Sequence, residues 1–137
     1  MNRYEQSTGR WYDAKGLLLG VGFSGYDPDP SRKGEPGEGV NHPELDGVKN
    51  VGPLPCGRYR ILSPFTHPTT GAYSMRLDPL PGNQMKGRGN FLIHGDSRLK
   101  PGTGSHGCII FPRAIRELIW ATGDRELEVV PGAPAVV

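Results

Sequence analysis

The chain lacks the features that define several large classes of protein. It has only two cysteines in 137 residues, Cys56 and Cys108, which excludes a disulfide scaffold and leaves the redox compartment open. Its longest apolar stretch near the N-terminus, residues 17–23, is interrupted by two glycines and is too short to cross a bilayer. We therefore expect neither a signal peptide nor insertion into a membrane.

A dominant charge of one sign is also missing. The 16 basic and 14 acidic residues are interspersed, the formal net charge is +2, and no basic run exceeds the pair Arg32-Lys33. Without a basic patch, nucleic acid is not an expected partner. A chain of this length can bury one core, so we expect residues 1–137 to form a single domain.

Glycine and proline, in contrast, are abundant. The 21 glycines and 14 prolines separate short apolar or β-branched runs, a pattern typical of many short strands joined by tight turns. We predict a mainly β fold of the compact sandwich or barrel-like kind. The predicted strands are an opening hairpin within residues 3–23 that turns at 13–16, followed by 58–62, 72–77, 90–94 and 126–130.

One short helix is predicted over residues 112–122. Pro112 suits its first turn and Gly123 suits its end. The apolar stripe that we expect to face the core consists of Phe111, Ile115, Leu118, Ile119 and Thr122.

The segment 24–47 shows neither strand nor helix periodicity and is rich in glycine and proline. A loop of this length in a compact domain is either a functional lid or a mobile insertion. The sequence alone leaves both interpretations open.

The residues that carry chemistry lie in two neighbouring segments. His94 ends the apolar run 91–94, and Ser105, His106 and Gly107 directly precede Cys108. A cysteine attacks as the thiolate, so it needs a nearby base, and His94 can supply one. Gly107 lets the backbone bend sharply and lets a substrate carbonyl approach the amides of residues 107 and 108, which could stabilise an oxyanion. This combination predicts acyl transfer through a cysteine.

These residues give the chain a resemblance to a known family. A histidine upstream of Ser-His-Gly-Cys, here His94 followed by 105–108, resembles the signature of L,D-transpeptidases of the YkuD type. The segments 23–25 (Phe-Ser-Gly) and 49–59 (Lys-Asn-Val-Gly-Pro-Leu-Pro-Cys-Gly-Arg-Tyr) are similar to a subgroup, the type VI secretion effectors that carry an L,D-transpeptidase-like domain.

The resemblance implies roles for individual residues. Cys108 would be the acylated nucleophile and His94 the general base, with Ser105, His106 and Gly107 shaping the site. A backbone carbonyl near Gly95, or else Asp96, would orient His94. Substrate contacts would come from Gly95, Asp96, Ser24, Tyr26 and Arg113, although an aromatic residue such as Tyr26 can also simply pin a loop.

Two departures from the family pattern concern spacing and substrate binding. The interval between His94 and Cys108 is shorter than in most housekeeping members. The arginine commonly found two positions after the cysteine is Ile110 here, and Arg113 or Arg98 is a candidate replacement for binding a substrate carboxylate.

The resemblance also implies a substrate and partners. The substrate would be the tetrapeptide stem of peptidoglycan, cut at the diaminopimelate–D-Ala bond as an L,D-carboxypeptidase or L,D-transpeptidase, with no cofactor. The chain would be delivered by a secretion apparatus into the periplasm of a target bacterium, and the producer would keep a cognate immunity protein.

Alternatives remain for the same residues. His94, His106 and Cys108 are all zinc ligand types, but a fourth ligand from Cys56, His42 or His67 would lack recognisable zinc spacing. A non-catalytic module that binds the cell wall or zinc is therefore the second hypothesis. Outside a metal site, we expect His42 and His67 to be exposed turn residues and Cys56 to be an exposed structural thiol.

Overall fold

The computed structural model describes residues 1–26, 39–99 and 101–132, and the mainly β prediction is confirmed there. The elements in this part of the chain are the strands β1 (Asn2–Glu5), β2 (Arg10–Tyr12), β3 (Leu18–Val21), β4 (Phe23–Ser24), β5 (Gly57–Ile61), β6 (Phe65–His67), β7 (Gly71–Pro79), β8 (Leu92–His94), β9 (Ile109–Ile110) and β10 (Glu126–Val130), the helix α1 (Arg113–Ala121), and a 3₁₀ turn at Pro43–Leu45.

The strands form one continuous path that returns to its starting point. Their order is β3-β2-β1-β10-β5-β7-β8-β9-β4, with β6 paired to β7 at the side. The two ends of the path, β3 and β4, are consecutive in the chain and are separated only by Gly22. A Cβ atom on Gly22 would collide with the carbonyl oxygen of Ile110, so glycine is required where this segment crosses from one end of the path to the other. The sheet is thus closed in a barrel-like manner.

Most predicted strands are present, but residues 2–24 contain four strands where two were predicted, so β1 as a strand separate from β2 was missed together with several shorter strands. The opening hairpin is β2–β3, whose turn is held by Asp13 Oδ1 accepting from the N–H groups of Lys15 and Leu17, both at 2.9 Å. The strands β4, β6 and β9 have only two or three residues each, so they carry too little periodicity to be predicted.

The core lies inside this closed sheet and is centred on three aromatic side chains. Tyr4, Trp11 and Phe111 have no exposed surface, and their ring centroids lie 6.0–6.4 Å apart. Burial of a large apolar side chain stabilises a fold by roughly 1.5–3 kcal/mol. Because Phe111 directly follows β9, this cluster anchors the strand that comes after Cys108.

The helix α1 begins after Pro112 and ends before Gly123, whose φ of +79° suits a helix stop. The predicted core stripe needs a correction. Leu118 is 49% exposed and Thr122 is also exposed, whereas Arg116 is buried. The Arg116 guanidinium can be buried because it donates to backbone carbonyls. A charged side chain therefore lies on the buried face of α1, which was predicted to be apolar.

Candidate active site

The turn that precedes Cys108 is held by the Ser105 hydroxyl. Ser105 Oγ accepts from the N–H groups of Gly25 at 2.9 Å and Gly107 at 3.0 Å, and it donates to the Cys108 carbonyl at 2.6 Å. A buried hydroxyl with three partners fixes the backbone on both sides of it. Ser105 therefore fixes the backbone conformation of the turn that precedes Cys108.

Ser24 supports the same turn from the neighbouring strand. Its Oγ donates to the Gly107 carbonyl at 2.7 Å and accepts from the Leu54 N–H at 3.1 Å, and the residue has no exposed surface. The sequence suggested a substrate contact for Ser24. Its burial and its two internal bonds instead give it a role in positioning Gly107.

Gly107 cannot be replaced without strain. Its φ is +134°, and a Cβ atom there would lie 2.5 Å from Arg88 Nη2 and 2.7 Å from Phe91 Cε1. Both the backbone angle and the packing therefore require glycine. Its N–H is already bonded to Ser105 Oγ, so of the two amides expected to receive an oxyanion, only that of Cys108 remains a candidate.

The sheet brings Cys108 and His94 onto neighbouring strands. In the parallel pair β8–β9, Ile93 lies opposite Ile109 and His94 lies opposite Ile110. The same register continues back to Cys108, whose Sγ accepts from the Leu92 N–H at 3.3 Å. Cys108 thus directly precedes the strand that pairs with the one ending at His94, and its thiol bonds to the backbone of that neighbouring strand.

The Gly95 carbonyl fixes the tautomer of His94. His94 Nδ1 lies 2.6 Å from that oxygen, and a carbonyl can only accept, so Nδ1 carries the proton. In the neutral ring, Nε2 is then left as the basic atom. This is the backbone-carbonyl arrangement expected from the sequence.

Asp96, the alternative partner for His94, has a different role. Its Oδ1 accepts from the N–H groups of Ser97 at 2.7 Å and Gly104 at 3.0 Å, and its Oδ2 accepts from Gly102 at 2.6 Å. Asp96 therefore organises the loop that leads to the Ser-His-Gly-Cys turn.

Burial acts on the pKa of both candidate reacting groups. It lowers the pKa of His94 below 6.5, an effect that the hydrogen bond to Gly95 opposes and that the Arg116 charge reinforces. Burial also raises the pKa of the Cys108 thiol, and the Leu92 N–H and the Arg88 charge oppose this only in part. Both shifts favour the neutral form of the group, and in the described residues the thiol and the His94 ring share no hydrogen bond.

Arg88 is a site residue that the sequence analysis missed. Its guanidinium is buried and donates to four carbonyls: Nη1 to Asp46 and Pro53, both at 2.7 Å, and Nη2 to Gly52 at 3.0 Å and His106 at 3.1 Å. These bonds join the Gly-Pro-Leu-Pro segment to the nucleophile turn. Arg88 lies in a glycine-rich stretch without periodicity, so no sequence signal identified it.

His106 and Tyr26 form the exposed edge of the site. Their rings stack with centroids 4.5 Å apart and an interplanar angle of 16°. The Tyr26 N–H also donates to the Val51 carbonyl at 2.8 Å, and its own carbonyl accepts from Gly39 at 3.0 Å. Tyr26 thus pins the start of the long loop against the motif histidine. Residues 27–38 lie outside the described residues, so the lid interpretation of 24–47 stays a prediction.

A cavity of about 880 Å³ opens on the His94 side of the strand pair. It is lined by His94, Gly95, Asp96, His106, Arg98 and Arg113 together with Thr69, Thr70, Gly71, Ala72, Ser97, Leu99, Gly104, Pro112 and Arg116. Arg113 is exposed and forms an ion pair with Glu117 at 2.8 Å. Cys108 is not among the lining residues, so the cavity adjoins the candidate base His94 but not the candidate nucleophile.

The remaining candidate residues do not line the cavity, although the charge of His67 contributes to lowering the pKa of His94. His42 and His67 are half-buried, and His67 ends β6, where its Nδ1 accepts from the Thr69 and Thr70 N–H groups at 3.0 and 3.2 Å. Cys56 is half-buried rather than exposed and donates to Gln6 Oε1 at 3.2 Å. Within 1–26, 39–99 and 101–132, no three His, Cys, Asp or Glu side chains are grouped closely enough to hold a metal ion.

Comparison with known proteins gives one match. The Tlde1 domain model matches residues 34–131, which includes His94, Arg88 and the whole Ser-His-Gly-Cys turn. No curated protein and no solved structure matches the chain.

In the described part of the chain, no helix has the length and apolar character needed to span a membrane.

Proposed function

We propose, on the basis that this chain belongs to the Tlde1 domain family of type VI secretion effector domains, that it is a cysteine enzyme that modifies peptidoglycan. The reaction is acyl transfer from the tetrapeptide stem, with cleavage of the bond between diaminopimelate and D-Ala. Water as the acceptor makes it an L,D-carboxypeptidase, and an amine as the acceptor makes it an L,D-transpeptidase.

The observation that carries this proposal is the relation between His94 and Cys108. The Gly95 carbonyl holds the proton on Nδ1, which leaves Nε2 as a base, and the pairing of β8 with β9 brings the segment that contains Cys108 next to the strand that ends at His94, which supports the proposal. A base oriented by a third group beside a nucleophile is the arrangement that covalent catalysis requires.

The first half-reaction forms a thioester. His94 Nε2 accepts the Cys108 proton as Sγ bonds to the carbonyl carbon on the L-centre of diaminopimelate, and the Cys108 N–H is the proposed donor to the oxyanion. When the intermediate collapses, the C–N bond to D-Ala breaks and the imidazolium of His94 protonates the departing amine. D-Ala leaves and the acyl group remains on sulfur.

The second half-reaction regenerates the enzyme. His94, neutral again, removes a proton from water or from an acceptor amine, which attacks the thioester carbonyl. The C–S bond breaks, the proton returns to sulfur, and the product is a tripeptide stem or a new amide. Either outcome removes donor stems from the wall.

The family also supports general partners. An effector domain of this kind is delivered by a secretion apparatus and acts in a target bacterium. We propose that the producing cell protects itself with an immunity protein that covers the cavity beside His94, because that surface is the open approach to the base.

The proposal is tested by incubating the purified protein with disaccharide tetrapeptide and separating the products by mass spectrometry. We expect tripeptide and free D-Ala in equal amounts, and no conversion by Cys108→Ala. Conversion that persists in Cys108→Ala would remove the nucleophile assignment. An unchanged substrate that nevertheless binds the protein would favour the non-catalytic wall-binding module.

A further inference from the structure

Arg88 places a buried positive charge directly against the nucleophile turn, the segment 105–108. The residue is 8% exposed, and its Nη2 donates to the His106 carbonyl at 3.1 Å. A Cβ atom built on Gly107 would lie 2.5 Å from the same Nη2. The guanidinium is thus in contact with the two residues that precede Cys108.

The other contacts of the guanidinium hold it in place. Nη1 donates to the carbonyls of Asp46 and Pro53, both at 2.7 Å, and Nη2 also donates to the Gly52 carbonyl at 3.0 Å. The buried ring of Phe91 lies 5.1 Å from the guanidinium carbon and covers one of its faces. In surroundings with little water a charge is weakly screened, so the charge of Arg88 acts strongly on its neighbours.

A nearby acidic group does not cancel this charge. Among the described residues, the Asp46 carboxylate is the acid that acts on Arg88. Its Oδ1 is paired with Lys86 Nζ at 2.5 Å, and its Oδ2 accepts from Gln6 Nε2 at 3.3 Å. Because Lys86 balances Asp46, the positive charge of Arg88 remains available to the turn.

Two arginines and one backbone N–H act on the Cys108 sulfur. The Leu92 N–H donates to Sγ at 3.3 Å, and the charges of Arg88 and Arg76 both oppose the rise in the pKa of the thiol that burial causes. Arg76 lies opposite Leu92 in the pair β7–β8 and stacks over the Phe65 ring at 5.5 Å. In the described part of the chain Arg76 makes no hydrogen bond to the nucleophile turn, so only Arg88 both contacts the turn and acts on the sulfur.

We propose that Arg88 is a positioning residue for the nucleophile and that its charge stabilises the Cys108 thiolate, an inference that rests on the function proposed above. When His94 Nε2 takes the thiol proton, negative charge forms on sulfur and positive charge forms on the imidazole ring. Arg88 keeps its proton throughout and offsets the charge on sulfur, while its bond to the His106 carbonyl holds the turn. The site can then form a thiolate that burial alone would disfavour.

The test measures the rate at which iodoacetamide alkylates Cys108 at pH 8, by peptide mass spectrometry with Cys56 as the internal reference. Arg88→Lys and Arg88→Gln are a matched pair, because both lose carbonyl bonds but only lysine keeps the charge. We expect Arg88→Gln to react about threefold more slowly than Arg88→Lys, or slower still. A rise in the pKa of one unit lowers the thiolate fraction about tenfold, and higher nucleophilicity recovers only part of that loss.

A purely structural role predicts a change of the opposite sign. If Arg88 only held the turn together, its loss would loosen the turn and expose Cys108, so both variants would be alkylated faster than wild type. Arg76→Gln removes a charge without touching the turn and should slow alkylation by a smaller factor. Arg3→Gln is the matched control, since Arg3 stacks on Tyr12 and its charge is not among those that act on Cys108.

Equal rates in Arg88→Lys and Arg88→Gln, or faster alkylation of Arg88→Gln than of wild type, would overturn the proposal. Thermal unfolding shows whether each variant folds. If Arg88→Gln does not, Arg88→Lys is compared with wild type: a rate within about twofold supports the role of the charge, and a faster rate overturns it. The assay contains no peptidoglycan, so a failure to convert tetrapeptide would overturn the proposed function without changing this result.

Discussion

The two cysteines of this chain lie in similar backbone settings but in different electrostatic ones. Each is half-buried and each adjoins a glycine in the left-handed region, Gly57 at φ +143° and Gly107 at φ +134°. Burial raises the pKa of both thiols. The Asp46 carboxylate raises the pKa of Cys56 further and Lys86 opposes this in part, whereas at Cys108 the charges that act, Arg88 and Arg76, both oppose the rise.

The comparison shows that a neighbouring glycine at positive φ does not distinguish the two thiols, whereas their hydrogen-bond partners and nearby charges do. Cys56 donates to Gln6 Oε1, and Gln6 in turn donates to the Leu54 carbonyl at 2.8 Å, so this region joins two segments of chain. At Cys108, in contrast, the preceding turn accepts a hydrogen bond from the buried guanidinium of Arg88 at the His106 carbonyl. His94 lies on the neighbouring strand β8. The surroundings of the sulfur therefore separate the structural thiol from the proposed catalytic one.

The largest predicted effect concerns the histidine, since only Cys108 has one on the neighbouring strand. His94→Gln should reduce kcat/KM on tetrapeptide by about 10²–10⁴-fold, because general base catalysis is lost. His42→Gln, at a half-buried histidine that neither lines the cavity nor acts on the pKa of His94, is the matched control and should stay within a few-fold of wild type. Equal losses in the two variants would contradict the role of His94.

The pH dependence should show the depressed basicity of His94. Burial lowers its pKa below 6.5, so the free enzyme keeps a neutral base across the neutral range. We expect kcat/KM to stay level as pH falls to 6.5 and then to decline about tenfold per pH unit only below the lowered pKa. Because the pKa of Cys108 is raised, no second limb is expected near neutrality. An acidic limb at or above 6.5 would contradict this environment.

The paired glycines sharpen the comparison further. The methyl group of Gly107→Ala would clash with Arg88 Nη2 and Phe91, and that of Gly57→Ala would clash with the Asn83 side chain. Both substitutions should therefore lower the free energy of unfolding, and for Gly107→Ala we expect a loss of about 2–4 kcal/mol. Thermal unfolding measures this loss. Only Gly107→Ala should also reduce the activity per folded molecule, because it displaces the nucleophile turn. A comparable loss of activity in Gly57→Ala would break the distinction.

The smallest predicted effect tests the electrostatic half of the comparison. Asp46→Asn removes the charge that raises the pKa of Cys56, so alkylation of Cys56 at pH 8 should accelerate about two- to fivefold. Peptide mass spectrometry measures the alkylation rate of each cysteine separately, and the rate at Cys108 serves as the internal reference. No change at Cys56, or an equal change at Cys108, would mean that Asp46 does not act locally.

The sequence predicted the longer elements and the motif, but not the buried cations. The strands 58–62 and 126–130 were predictable because alternation of polar and apolar residues follows the pleat. Cys108 and His94 stood out as candidates because Ser105 to Cys108 are contiguous and His94 ends an apolar run, but their catalytic roles stay a prediction. Arg88 and Arg116 were not, because burial of an arginine depends on carbonyls that are distant in sequence, such as Gly52 for Arg88 and Ala72 for Arg116.

The closing strands were missed for a related reason. β4 and β9 have two residues each and exist because they pair with each other and with β8. Strands this short depend on pairing with distant segments more than on local propensity. Ser24 shows the same effect, since the family resemblance implied a substrate contact, whereas in the fold it is buried and bonds to the Gly107 carbonyl.

The central claim is that Cys108 becomes acylated by the stem peptide. The direct measurement is intact-protein and peptide mass spectrometry after brief mixing with disaccharide tetrapeptide and acid quenching. The account predicts a mass increase equal to the tripeptide acyl group, located on the peptide that contains Cys108 and absent in Cys108→Ala. An adduct on Cys56, or release of D-Ala with no adduct on Cys108 at any quench time, would contradict it.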